Sequence, residues 1–205
     1  MENRNFVHLH LHDEYSVLDG LGRAKEYCGR AKELGFTSLA LTNHGNVDGC
    51  VTFQKECSKV GIKPIFGCEA YIVENLYNKN YTKDNREKRY HITLLARNEK
   101  GWQNILRMLS VANIDGYYYR PRIDIELLLD NCEGICVGTA CASSFVNMPR
   151  LRGLSLLKQL KNRKVQCFLE IMPLDMNEQR KQNNLLVKWS QDYDIPLVAT
   201  NDCHY

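Results

Sequence analysis

Three histidines alternate with aliphatic residues near the start of the chain, in Val7-His8-Leu9-His10-Leu11-His12. No other stretch restricts the fold as much. Side chains at i, i+2 and i+4 of a strand share a face, so His8, His10 and His12 point one way and Val7, Leu9 and Leu11 the other. Neutral imidazoles aimed at a common point suit a zinc or other transition-metal site, because each ring offers one nitrogen as ligand and fixes its tautomer with the other. For a single histidine an incidental place on a wet face is the plainer reading, but the chain has six histidines and puts three of them here. Near the other end, Asp202-Cys203-His204 repeats the i, i+2 spacing. A metal centre joining the two ends is the working expectation.

With 205 residues the chain has room for one well-buried domain or a compact α/β barrel, and a single domain over 1–205 is expected. The 44% hydrophobic and 25% charged residues are those of a globular protein. No leader and no apolar run long enough to span a bilayer is visible, so a cytoplasmic location is expected. The nine cysteines show no CxxC pair, which argues against a zinc ribbon or a disulfide framework and for reduced thiols. A net charge of +3 is too small to imply nucleic acid through bulk electrostatics, which leaves local basic clusters to do so.

Along the chain, strand-like and helical patterns take turns. Strands are expected over 6–11, 37–41, 63–66, 70–73, 92–96, 134–137, 167–171 and 197–200, with Gly67 separating the third from the fourth. Helices are expected over 23–34, 48–60, 101–112, 125–129, 154–160 and 177–191, the first two ending at Gly35 and Gly61. Residues 74–89 read as a polar, mobile loop. The alternation argues for βα units, a mainly parallel sheet and, with this many units, a closed barrel.

In such barrels the chemistry sits at the C-terminal ends of the strands. His10, His12, His44, Glu69, Cys141, Asp202 and His204 fall at or just past expected strand ends, and Asp19 lies in the loop after the first. His91 is the exception, because it begins a strand. This mixture of imidazole, carboxylate and thiol suits more than one zinc-like or manganese-like ion, with carboxylates bridging neighbouring metals.

The ordered set of Tyr15-Ser16-Val17-Leu18-Asp19-Gly20, Leu41-Thr42-Asn43-His44-Gly45-Asn46, Glu69-Ala70-Tyr71, His91-Ile92-Thr93-Leu94-Leu95-Ala96, Gly116-Tyr117-Tyr118-Tyr119-Arg120-Pro121-Arg122-Ile123-Asp124 and Thr200-Asn201-Asp202-Cys203-His204-Tyr205 resembles the polymerase-and-histidinol-phosphatase (PHP) domain of bacterial DNA polymerase III alpha subunits. The resemblance implies a distorted TIM-like (β/α)7 barrel with up to three divalent ions, zinc or manganese first and iron next. It implies a 3′–5′ exonuclease that proofreads during DNA replication, acting on a single-stranded or frayed 3′ end beside a C-family polymerase region, fused or separate. Carried over by position, the metal ligands are His10, His12, Asp19, His44, Glu69, His91, Cys141, Asp202 and His204. Glu69, Asp202 and His204 would act through a metal-bound hydroxide. Two departures stand out. The family's second motif usually has Asp where this chain has Asn43, and the chain stops where the family's polymerase region begins, so no palm carboxylates are expected.

Other residues have plainer readings. His8 is expected to be an interior histidine, Glu170 a partner behind the ligands, and Cys28, Cys50, Cys57, Cys68, Cys132, Cys136 and Cys167 small core or surface residues. Lys88, Arg89, Arg120 and Arg122, with the neighbouring tyrosines of 77–90 and 117–119, are candidates to hold phosphates and stack bases, against the alternatives of a solvated loop and simple packing. Two other functions remain open: a small-molecule phosphoesterase on the same centre, and a silent metal-binding module of a replicative polymerase.

Overall fold

The computed structural model describes residues 6–80 and 88–205. Its sheet contains β1 (Ser38–Leu41), β2 (Lys63–Val73), β3 (Tyr90–Ala96), β4 (Arg122–Asp124), β5 (Ile135–Gly138), β6 (Gln166–Ile171) and β7 (Leu197–Ala199). They are hydrogen-bonded in the order β1-β2-β3-β5-β6-β7, with β4 also on β2. Between them lie α1 (Ala24–Glu33), α2 (Cys50–Val60), α3 (Glu99–Ile114), α4 (Ile125–Asp130), α5 (Arg152–Asn162) and α6 (Asn177–Tyr193). Among the described residues no helix is long and apolar enough to cross a membrane.

The sheet is mixed, not wholly parallel. β3 runs antiparallel to both β2 and β5, whereas the β1–β2, β2–β4, β5–β6 and β6–β7 pairs are parallel. A parallel pair needs a crossover that carries the chain back along the sheet. β3 instead starts at the end where β2 finishes, so its first residues lie at the same rim as the last residues of its neighbours. That removes the difficulty of His91.

Residues 8–12 do not form the expected strand. They are extended and make two isolated bridges, His8 to Leu39 and Leu11 to Cys203. The Thr42 hydroxyl accepts the Leu11 amide at 2.9 Å and donates to the Leu11 carbonyl at 3.1 Å, so a side chain stands where a longer ladder would run. The segment nevertheless joins the sheet's two edges. Ala40 and Thr42 donate to His8 and Leu11 on one side, and across the other the His12 amide donates to the Cys203 carbonyl while the Cys203 amide donates to the His10 carbonyl.

β2 is continuous across Gly67, where two strands were expected. A Cβ there would lie 2.3 Å from the Leu94 carbonyl oxygen, so this glycine permits a close strand approach and does not break the strand. The stretch after β2 is also less loose than expected: Leu76 is buried, its amide donates to Asp124 and its carbonyl accepts from Arg122. Tyr81, Lys83, Asp84, Arg86 and Glu87 fall outside the described residues.

One small apolar cluster marks the inside of the curl. Ala40, Leu95 and Phe168 pack with Leu9, Ile65, Cys136 and Val198, one residue each from the N-terminal segment and six strands. Larger clusters cover the outer face, one with α1 and α2 against β1, the other with α3, α5 and α6 against β2 to β6.

Candidate metal centre

Past the apolar layer, the polar residues converge. Glu69, in the middle of β2, is the hub: its Oε1 lies 3.2 Å from His10 Nε2 and 3.1 Å from His91 Nδ1, and its Oε2 lies 2.6 Å from His44 Nδ1 and 3.6 Å from His12 Nε2. It can sit there because the backbone beyond β1 continues along β2, with the Gly45 amide donating to the Glu69 carbonyl. Asp202 Oδ1 is 3.2 Å from both His10 Nε2 and His12 Nε2. Asp202 has φ 47°, a left-handed conformation that Asp tolerates better than most residues, and it lets Asp202 and His204 both turn toward the centre. Asp19 Oδ2 lies 2.8 Å from His44 Nε2 and 3.5 Å from His204 Nε2, and Cys141 Sγ is 3.6 Å from His91 Nδ1. All nine positions singled out in the sequence therefore meet in one place.

The hydrogen bonds behind the histidines decide which nitrogen faces inward. Asn43 Oδ1 can only accept, so the Ser16 hydroxyl donates to it at 3.0 Å and must accept from His12 Nδ1–H at 2.8 Å. His10 Nδ1–H donates to Glu170 Oε2 at 2.8 Å, and His204 Nδ1–H to the Asp202 carbonyl at 2.8 Å. Each of the three rings thus turns its Nε2 toward the centre. Glu170 is fully engaged at the back, accepting also from Thr200 Oγ1, Thr93 Oγ1 and the Ala140 amide. Ser16, Thr93 and Thr200 were not foreseen in the sequence. Hydroxyls in loops and at strand ends carry no periodic signal, and only the neighbouring histidine and carboxylate motifs pointed toward them.

What remains on the inner side is a group of buried atoms with no hydrogen-bond partner: His10 Nε2, His12 Nε2, His44 Nδ1, both Glu69 oxygens and Asp202 Oδ1. Lone pairs facing lone pairs at such distances require a proton or a cation between them. Burial alone would push the His10 pKa down, yet the Glu170 and Glu69 carboxylates hold it well above the usual imidazole value. Burial would likewise raise Glu69, but His10 and His91 hold it well below the carboxylate range. Burial keeps His12 down at about 4 despite Asp202, and it pushes the Cys141 thiol up. Three groupings have the spacing to hold an ion: His10, His12, Glu69 and Asp202; His12, His44 and His204; and His44, Glu69 and His91. The donor set, imidazole with carboxylate, fits zinc, manganese or iron.

His8 lies apart from this group. It is buried, its Nε2 faces Cys203 Sγ at 3.5 Å, and burial together with nearby His10 brings its pKa down to about 4.

The model of the PHP domain family matches residues 8–178. The chain belongs to the PHP domain family. Relatives along essentially its whole length are the DNA polymerase III alpha subunits of Borreliella burgdorferi, 38% identical over 98% of this chain, and of Aquifex aeolicus, 35% identical over 99% of it. The chain spans only 18% of each of those proteins. Two solved structures share the fold at low identity. One is described as a candidate metal-dependent phosphoesterase from Bifidobacterium adolescentis (TM-score 0.62, 14% identity, 98% of this chain and 88% of that one). The other is an amidohydrolase from Chromobacterium violaceum with bound sulfate (TM-score 0.63, 12% identity, the same coverage).

In this PHP domain a cleft of about 430 Å³ opens beside the centre, lined among others by Asp19, His44, Gly45, Tyr71 and Arg120. Gly45 has φ 64°, and a Cβ on it would lie 2.8 Å from the Pro121 ring, so the loop carrying Arg120 can close onto the His44 turn only over glycine. The candidate nucleic-acid residues divide. Arg120 reaches the cleft, and Lys88 and Arg89 are exposed, Lys88 with its ammonium 5.4 Å from the centre of the Tyr90 ring. Arg122 does not serve as a DNA contact. It is 1% exposed, and its guanidinium donates to the Gly116, Leu76 and Asn78 carbonyls, tying the end of β2 to the turn before β4.

Proposed function

We propose that this PHP domain, a distorted (β/α)7 barrel over 1–205, is a metal-dependent phosphoesterase that removes nucleotides from single-stranded or frayed 3′ ends of DNA. Its setting would be cytoplasmic proofreading beside a C-family polymerase region, and the alpha-subunit relatives support that. One observation carries the reading: the six buried, unpartnered nitrogen and oxygen atoms aimed at one point, next to an open cleft with a guanidinium at its wall.

The nine residues His10, His12, Asp19, His44, Glu69, His91, Cys141, Asp202 and His204 are the proposed metal ligands. Divalent ions held there supply Lewis acidity toward water and toward a phosphate oxygen. Glu69 and Asp202 concentrate negative charge where several cations would otherwise repel one another. Glu170 and Ser16 keep the Nε2 lone pairs of His10 and His12 directed inward, so the rings need no reorganisation on binding. The buried walls behind the ligands keep bulk water from the hydrogen bonds that orient them.

Digestion of a 5′-labelled oligonucleotide with manganese or zinc, with and without chelator, tests this. Asp202→Asn removes an anion that offsets the ions, so activity falls by a factor on the order of a hundred or more, with part of the metal lost, whereas Lys158→Ala on the far surface changes neither. Turnover of small phosphomonoesters only would identify a small-molecule phosphatase. Bound metal without cleavage, with Asp202→Asn indistinguishable from the parent, would identify a structural module.

A further inference from the structure

The cleft wall next to the centre holds a feature that hydrolysis at the metal site does not use. Tyr71 is buried, and its ring stacks on His44 at 5.8 Å and meets His91 edge-on at 5.2 Å. The exposed Arg120 guanidinium lies 5.9 Å from the centre of the same ring. Among the described residues it makes no hydrogen bond or ion pair, so all its donors are available to a ligand. A second exposed guanidinium, Arg89, stands just before β3, two residues from His91.

The surrounding architecture holds Arg120 out from the protein. Arg122 is drawn inward by three carbonyls and packs its guanidinium against the Tyr118 ring, and the Tyr118 amide closes the turn on the Arg120 carbonyl. Pro121 seats on Gly45. One arginine of the pair is therefore the anchor and the other the free end. A planar guanidinium without a partner, one aromatic ring from a phosphoester-cleaving centre, is suited to a phosphate group in bidentate geometry.

We propose that Arg120 forms an anion subsite that grips the backbone phosphate adjacent to the reacting one. The preferred substrate is then a polynucleotide end with at least two linked phosphates, in preference to a phosphomonoester or a dinucleotide. This rests on the phosphodiesterase reading above and adds the substrate class to it.

The test is a double-mutant cycle on binding, read without turnover. A fluorescein-labelled oligothymidylate is titrated by anisotropy in chelator, either with all phosphates or with the second linkage from the 3′ end as a neutral methylphosphonate. The parent loses about tenfold in affinity on neutralisation, the worth of one charge-assisted contact. Arg120→Ala binds both oligonucleotides alike, and Arg120→Lys keeps part of the discrimination because a lysine restores charge without the fork. Arg120 is exposed, and an unchanged melting temperature verifies that the variants are folded. An equal loss in parent and Arg120→Ala overturns the subsite, even if manganese-dependent cleavage of the oligonucleotide proceeds and the phosphodiesterase reading stands. Cleavage of p-nitrophenyl phosphate with no cleavage of the oligonucleotide overturns both.

Discussion

Asn43 illustrates how one atom sets a site. Resemblance to the PHP family leads one to expect Asp there, and the structure gives a reason for the amide. Its Nδ2 donates to Asp13 Oδ1 at 2.7 Å while its Oδ1 accepts the Asp13 amide and the Ser16 hydroxyl. Asp13 is fully buried, and burial already raises its carboxyl above the ordinary range against the bonds from Tyr15 and Asn43. Asn43→Asp would set two buried carboxylates against each other, so one must keep a proton. A folded-state pKa raised above the unfolded value near 4 means that the native form holds a proton the unfolded chain has released, and stability falls as pH rises through that window. Asn43→Asp is therefore expected to be near parental in stability at about pH 4 and less stable by about 1–3 kcal/mol at pH 8. Urea midpoints at the two pH values measure it, and a pH-independent difference would mean the two carboxyls do not face one another.

At the scale of elements, what the sequence made legible was whatever rests on period. The helices appear within a few residues of expectation because apolar spacing and the glycine stop at Gly61 are local signals, and Asn98 caps α3 through the Gly101 amide. The nine converging residues were legible because their motifs are short and ordered. Direction was not: the antiparallel run of β3, which brings His91 to the rim, depends on a connection without a crossover. β4 was missed, since three residues of Arg122-Ile123-Asp124 become a strand only by pairing with β2. Gly67 was misread as a break because composition alone cannot separate a glycine that ends a strand from one that lets two strands approach. That difference gives a contrast to measure. Gly67→Ala puts a methyl 2.3 Å from the Leu94 carbonyl, two residues from Glu69, and is expected to cost about 1–3 kcal/mol or more. Gly29→Ala, inside α1 with nothing within 4 Å, is expected to stabilise by about 1 kcal/mol. Chemical denaturation of the two variants should move in opposite directions.

For the whole molecule, the unpaired charges of the centre link stability to pH in opposite senses with and without metal. In the metal-free protein, His10 is held well above 6.5 by Glu170 and Glu69 once their pull overcomes burial, and Glu69 and Asp19 raise His44 against the same penalty. The stability this contributes is fully present below pH 6.5 and is lost as pH rises through the folded-state values. A bound cation needs those nitrogens free of protons, so its affinity increases over the same interval. The gap in melting temperature between manganese-loaded and chelated protein is accordingly expected to widen from pH 6.5 upward. A gap constant across that range would show that protons and metal do not compete for the centre.

The chain's two ends meet through the bonds between His12, Cys203 and His10, and this imposes an order on assembly. Of the three metal-capable groupings, the one made of His44, Glu69 and His91 is complete once β3 has paired with β2. The other two wait for Asp202 or His204. During synthesis His10 and His12 leave the ribosome long before Asp202 and His204, which complete their groupings. A partial cage can therefore form early, and the two groupings that need Asp202 or His204 close only after those residues have emerged.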